Sequence, residues 1–169
     1  IEASADRIRP DIFKTPLFVS PRRIDFLRRR LLVKAEALQH TGSFKLRGAT
    51  NAVWSLDDDV RHVVAFSSGN HAQGVALAVT TRGLKATIIM PEDTPATKIE
   101  GTKAYGADVV TYDRYTESRE EIGEALSQKY NANLIKPYDD VRVIAGQGTV
   151  GLEIARQASV MGVVPDALI

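Results

Sequence analysis

His62-Val63-Val64-Ala65-Phe66-Ser67-Ser68-Gly69-Asn70-His71-Ala72-Gln73-Gly74 passes from an apolar run, through small polar residues, into a helical pattern. His62 to Phe66 is short and almost wholly apolar, as expected of a buried strand. Asn70 to Thr81 carries Val75, Ala76, Leu77 and Val79 and is expected as a helix. A strand that feeds a helix through a tight loop is one half of a βαβ unit.

The same alternation continues on both sides. Upstream, Leu31 to Val33 is a strand candidate, a strand is expected to end at Glu36, and Ser43 to Leu56 reads as a helix with Leu46, Ala49, Ala52 and Val53 on one face. Downstream, strands are expected at Ala86–Met90 (stopped by Pro91), Ala107–Tyr112 and Asn133–Ile135. Helices are expected at Thr97–Tyr105 (ended by Gly106), Thr116–Tyr130 with Ile122, Ala125 and Leu126 inward, and Ala145–Met161. Ala167 to Ile169 reads as the start of one more strand. The fold class is therefore α/β with a mainly parallel sheet. Such sheets bind ligands in the loops at the carboxyl ends of strands, so chemistry is sought after Phe66 and after Glu36. A chain that closes inside a strand leaves backbone groups unpaired, which makes these residues the expected first part of a longer protein.

Composition narrows the function classes. The 169 residues are 44% hydrophobic and 25% charged, with a net charge of +1. That balance argues against a nucleic-acid footprint and a polybasic membrane surface. The Arg28-Arg29-Arg30 cluster reads as a solvated segment. With no cysteine, thiolate catalysis and zinc–cysteine sites are excluded. No apolar run approaches the roughly 20 residues of a membrane span, no leader pattern is visible, and the expected location is cytoplasmic. His40, His62 and His71 lack metal-ligand spacing, so no metal site is expected in this chain. The nucleotide phosphate-loop and dinucleotide glycine motifs are missing too.

Three loops carry possible chemistry. Ser67 to Gly74 places small hydroxyl residues, a glycine and an asparagine at a helix start, where free N–H groups and the dipole favour an anion. Two local readings stand there, an ordinary capped turn and a ligand loop. Gly74 favours the second, because a glycine one turn into a helix implies close approach of another group. In Ser43-Phe44-Lys45-Leu46-Arg47-Gly48-Ala49, Lys45 falls in the first turn of a helix. The dipole disfavours a cation there, so a neutral amine, and hence a Schiff base, is easier to reach. The competing reading is a solvated surface lysine. Gly146-Gln147-Gly148-Thr149-Val150-Gly151 is either tight helix packing or a close backbone approach to a ligand.

Taken together, Ser43–Ala49, Ser67–Gly74 and Ala145–Thr149 resemble the fold-type II pyridoxal-phosphate enzymes, a two-lobed parallel-sheet fold like the tryptophan synthase β chain. The nearest resemblance is to the serine/threonine dehydratase family, including serine racemases and threo-3-hydroxyaspartate ammonia-lyases. It implies pyridoxal 5'-phosphate bound covalently at Lys45, with Phe44 beside the ring and Asn70 on the ring hydroxyl. It implies Ser67, Ser68, Gly69, Asn70 and His71 as the substrate carboxylate loop, and Gln147, Gly148 and Thr149 on the substrate side. Ser68 then faces the cofactor opposite Lys45, as an acid/base group in racemases.

The implied reaction is deamination of a β-hydroxy amino acid such as serine, threonine or threo-3-hydroxyaspartate to a keto acid and ammonia. The alternatives are a racemase or β-replacement synthase of the same fold, a non-catalytic fragment, and a generic nucleotide-binding α/β module. The resemblance further implies a large cofactor domain from residues 1–52 plus 144–169, a small inserted domain over 53–143, and a homodimer of the complete protein. The chain departs from the family pattern in stopping before the glycine-rich phosphate cup, the metal site of many members and the ring-nitrogen contact. It also lacks a glycine in Pro21–Arg30 that usually precedes the Leu31 strand. A molecule of these residues alone is expected to show weak or no catalysis.

Overall fold

The computed structural model describes residues 1–20 and 30–169. Arg28, Arg29 and most of the glycine-lacking Pro21–Arg30 stretch lie outside those residues.

The central layer is a four-stranded, wholly parallel sheet. In chain order its strands are β3 (His62–Phe66), β4 (Lys85–Pro91), β5 (Asp108–Tyr112) and β6 (Asn133–Ile135), arranged β5-β4-β3-β6. A separate antiparallel pair precedes it, β1 (Leu17–Val19) with β2 (Leu32–Lys34). The helices are α1 (Glu2–Ile8), α2 (Lys45–Trp54), α3 (Asn70–Thr81), α4 (Ala96–Ala104), α5 (Arg119–Tyr130), α6 (Val141–Gln147) and α7 (Thr149–Val160).

Alternation along β3 explains its apolar run. Val63 and Ala65 join one core with Ala49, Val53, Val75 and Val79 of α2 and α3. Val64 and Phe66 join the other with Ile89, Tyr112 and, from α5, Ile122 and Leu126. β3 is thus covered on both faces, as a central parallel strand must be. From β3 the chain steps outward through β4 and β5, then returns to place β6 on the other side of β3. The order reverses at β3, so the carboxyl end of that strand is the switch point where such sheets bind ligands.

The structure alters several sequence expectations. The strand expected to end at Glu36 ends at Lys34, and Glu36–Leu38 forms a 3-10 turn. α1 and β1 are additions to the expected elements; α1 buries Ser4 and Ile8, one turn apart, which a mixed-charge segment hides. α5 starts at Arg119, not Thr116, because the Ser118 hydroxyl caps it by accepting from the Glu121 N–H at 3.3 Å. Within α5, Ala125 is exposed and Gly123 is buried instead.

The single helix expected over Ala145–Met161 is two helices. Asp140 caps α6 by accepting from the Arg142 N–H, and the Thr149 hydroxyl takes the Gly146 carbonyl at 2.7 Å where α6 ends. Ala167–Ile169 is not a strand, having no strand beside it among the described residues.

Candidate active site

Lys45 opens α2 with no side-chain cap ahead of it. Its backbone N–H donates to the Ser43 hydroxyl at 3.3 Å. Its amine has no hydrogen bond or ion pair among the described residues and lies 5.1 Å from the Phe44 ring centroid. Phe44 is 40% exposed, so an apolar plate and a free amine stand together at an open surface.

The Ser67–Gly69 loop leaves β3 at the switch point. Gly69 is the N-terminal flank of α3, and no side chain caps that helix. The N–H groups of Asn70, His71 and Ala72 have no acceptor among the described residues. Neither Ser68 nor Asn70 acts as the ordinary cap that local sequence allows, so the helix start keeps its donors and its partial positive charge. Ser67, Ser68 and Gly69 are half-buried and Asn70 is exposed. The group that approaches Gly74 is the α2 backbone. An ideal Cβ there lies 3.2 Å from Leu46 Cα and 3.3 Å from the Lys45 carbonyl oxygen. Backbone contact therefore sets the spacing between the loop's helix and the lysine's helix.

His71 differs from its loop neighbours. It is 3% exposed, and neither ring nitrogen has a partner among the described residues. Burial first, then the nearby Lys45 cation, pushes its pKa down to about 4, against a smaller opposing effect of Asp140. The ring is neutral and buried, and the group that His71 leaves without an acceptor at the helix start is its backbone N–H, among the described residues.

The turn between α6 and α7 closes the far side. An ideal Cβ on Gly48 meets Gln147 Nε2 at 2.6 Å, and one on Gly146 meets the Arg47 carbonyl at 2.5 Å. Both glycines are needed for this contact, so the tight-packing reading of the glycine run is part of the answer. The Gln147 amide is buried with neither end paired among the described residues. Thr149 is 1% exposed, donating to Gly146 and accepting from Arg47. Its hydroxyl is engaged inside the turn, which it shapes from within.

Sequence reading missed the loop after β5. Ser68, Tyr112, Arg114, Ser118 and Arg119 line a cavity of about 350 Å³. Arg119 stacks over the Phe66 ring at 5.1 Å and donates to the Tyr138 hydroxyl at 2.7 Å. The available signal was positional, since this loop also follows a strand's carboxyl end. Also missed was the burial of Arg47, whose acidic partners are remote in sequence and give no local pattern.

Comparison with known proteins gives a consistent picture. The family model described as "Pyridoxal-phosphate dependent enzyme" matches residues 8–169. L-threo-3-hydroxyaspartate ammonia-lyase of Saccharomyces cerevisiae is 46% identical over 156 residues, covering 91% of this chain and 48% of that protein. Serine racemase of Arabidopsis thaliana is 42% identical, covering 93% and 48%. Among solved structures, maize serine racemase superposes with a TM-score of 0.89 at 39% identity, covering 94% of this chain and 49% of that one. The chain spans about half the length of the curated relatives it matches.

Proposed function

The chain belongs to the pyridoxal-phosphate dependent enzyme family, and from that premise we propose that it carries the lysine and carboxylate-loop half of a β-hydroxy amino acid ammonia-lyase. The substrate would be serine, threonine or threo-3-hydroxyaspartate, released as a keto acid and ammonia. One observation carries the reading: the Lys45 amine, unpaired among the described residues, extends from a helix whose backbone packs against α3, and the start of α3 has no side-chain cap among those residues.

The residues present fit pyridoxal phosphate. The Lys45 amine is free to bond covalently to it, Phe44 offers an apolar face, Asn70 is an exposed amide, and the Gln147 amide is buried and unpaired among the described residues. When bound, the group supplies an electron sink that stabilises negative charge at the substrate α-carbon. The protein does the rest. The N–H groups of Asn70, His71 and Ala72, with the Ser67 and Ser68 hydroxyls, bind and orient the substrate carboxylate. Lys45 Nζ, once released, accepts the α-proton. The neutral His71 ring adds no competing cation beside that amine. Residues 53–143, which contain all four strands of the parallel sheet, are proposed as a smaller lobe. A homodimer is proposed for the complete protein.

The holoprotein is expected to be yellow, and borohydride should bleach it and leave a reduced adduct on Lys45. A Lys45→Ala protein with an unaltered cofactor spectrum would overturn the assignment. Keto-acid release from the three amino acids then ranks substrates. Accumulation of both enantiomers from L-serine would instead favour a racemase, with Ser68 as the opposing proton carrier.

A further inference from the structure

Arg47 lies two residues beyond Lys45, about 200° around the helix, and is 1% exposed. All five of its N–H donors are engaged. Nε and Nη2 donate to Glu36 at 2.9 and 2.8 Å, Nη1 and Nη2 to Glu153 at 2.9 and 3.0 Å, and Nη1 to the Thr149 hydroxyl at 3.3 Å. Lys34 completes the set, donating to Glu153 at 2.6 Å, Gln157 at 2.8 Å and the Thr15 carbonyl at 2.7 Å. Two cations and two anions make the cluster neutral.

The cluster reaches four separate parts of the chain: Thr15 ahead of β1, the end of β2 with the turn after it, the start of α2, and α7 with the turn before it. Desolvating such charges is costly, and a packed apolar core often does as well for stability alone. What a bidentate guanidinium adds is direction, because two forks at fixed angles hold a backbone in one orientation.

We infer that Arg47 is a positioning residue for Lys45. It anchors the back of α2 to Glu36 and Glu153, so that the front presents the lysine amine at a set distance from the Gln147–Thr149 turn. The inference rests on the proposed function only for the identity of what Lys45 binds.

Two variants separate positioning from stability. Arg47→Lys keeps the charge and loses both forks. Arg47→Met with Glu36→Met removes one cation and one anion, leaving Lys34 paired with Glu153. Each is studied in the full-length protein, well below its melting transition. The first readout is the rate of pyridoxal phosphate attachment to Lys45, trapped with borohydride and located by mass spectrometry. The second, which needs no cofactor, is hydrogen exchange of the Lys45–Gly48 amides. The double variant is expected to melt near the parent temperature, yet to attach roughly tenfold or more slowly and to exchange faster at Lys45 and Leu46. Arg47→Lys should show the same two changes, so it decides the matter if the double variant does not fold. Parent-like attachment and exchange in a folded variant would overturn the inference. A parent protein that never labels Lys45 would overturn the proposed function instead, and the exchange data would still judge Arg47.

Discussion

At the scale of single residues, His71 gives the sharpest prediction. Its ring is neutral and buried, with a pKa of about 4 against an ordinary 6.5. The unfolded chain therefore binds a proton between those values that the folded chain refuses. Stability from this residue is complete above pH 6.5 and declines as pH falls toward 4. The loss is about 3 kcal/mol. Urea unfolding across that window should show a slope in the parent that is clearly reduced in His71→Gln, with a remainder from His62, which burial also shifts down. An equal slope in both proteins would mean that His71 is not the titrating group. The sequence shows His71 beside the Ser67–Gly69 turn but not the burial of its ring. Membership of a loop follows from local order, whereas burial of one ring depends on what α2 places behind it. The same holds for Arg47, whose local string names a motif but not the two distant carboxylates.

Among elements, the glycines divide by what surrounds them. Gly146 has backbone atoms of Arg47 and Gly48 at 2.5 and 2.7 Å from an ideal Cβ, while Gly151 in α7 has nothing within 4 Å. Gly146→Ala should therefore force α6 off α2 and cost about 1–3 kcal/mol. Gly151→Ala should stabilise by about 0.5–1 kcal/mol through helix propensity and a stiffer unfolded chain. Chemical denaturation of the two proteins checks the opposite signs.

Helices and strands were legible where periodicity and punctuation agreed, as for His62–Phe66 and Asn70–Thr81. They were not legible where one side chain decides. A single Thr149 hydroxyl on the Gly146 carbonyl marks the break between α6 and α7. Ser118 shortens α5 by capping it, and its signature, a serine three residues before Glu121, was present to be read.

For the molecule as a whole, the parallel sheet is well covered and the β1–β2 pair is not. Phe18 and Val33 are register partners, exposed by 54% and 46%. A two-stranded ribbon gains little stability alone, and an exposed apolar pair invites contact. Phe18→Thr is expected to lower apolar-dye binding and any concentration-dependent association of the 169-residue polypeptide, with the melting transition nearly unchanged. Dye binding equal to the parent's would show that the pair is covered. The two-lobed reading meets a constraint at Gly74, where α3 rests on the backbone of Lys45 and Leu46 without space for a methyl group. That contact works as a gauge block: its thickness is set by main chain alone, so replacing side chains elsewhere on either helix leaves it unchanged. With Lys45 outside residues 53–143 and α3 inside them, a lobe that swung shut over a substrate would turn about this contact, a bearing surface that limits how closely the two helix backbones can approach.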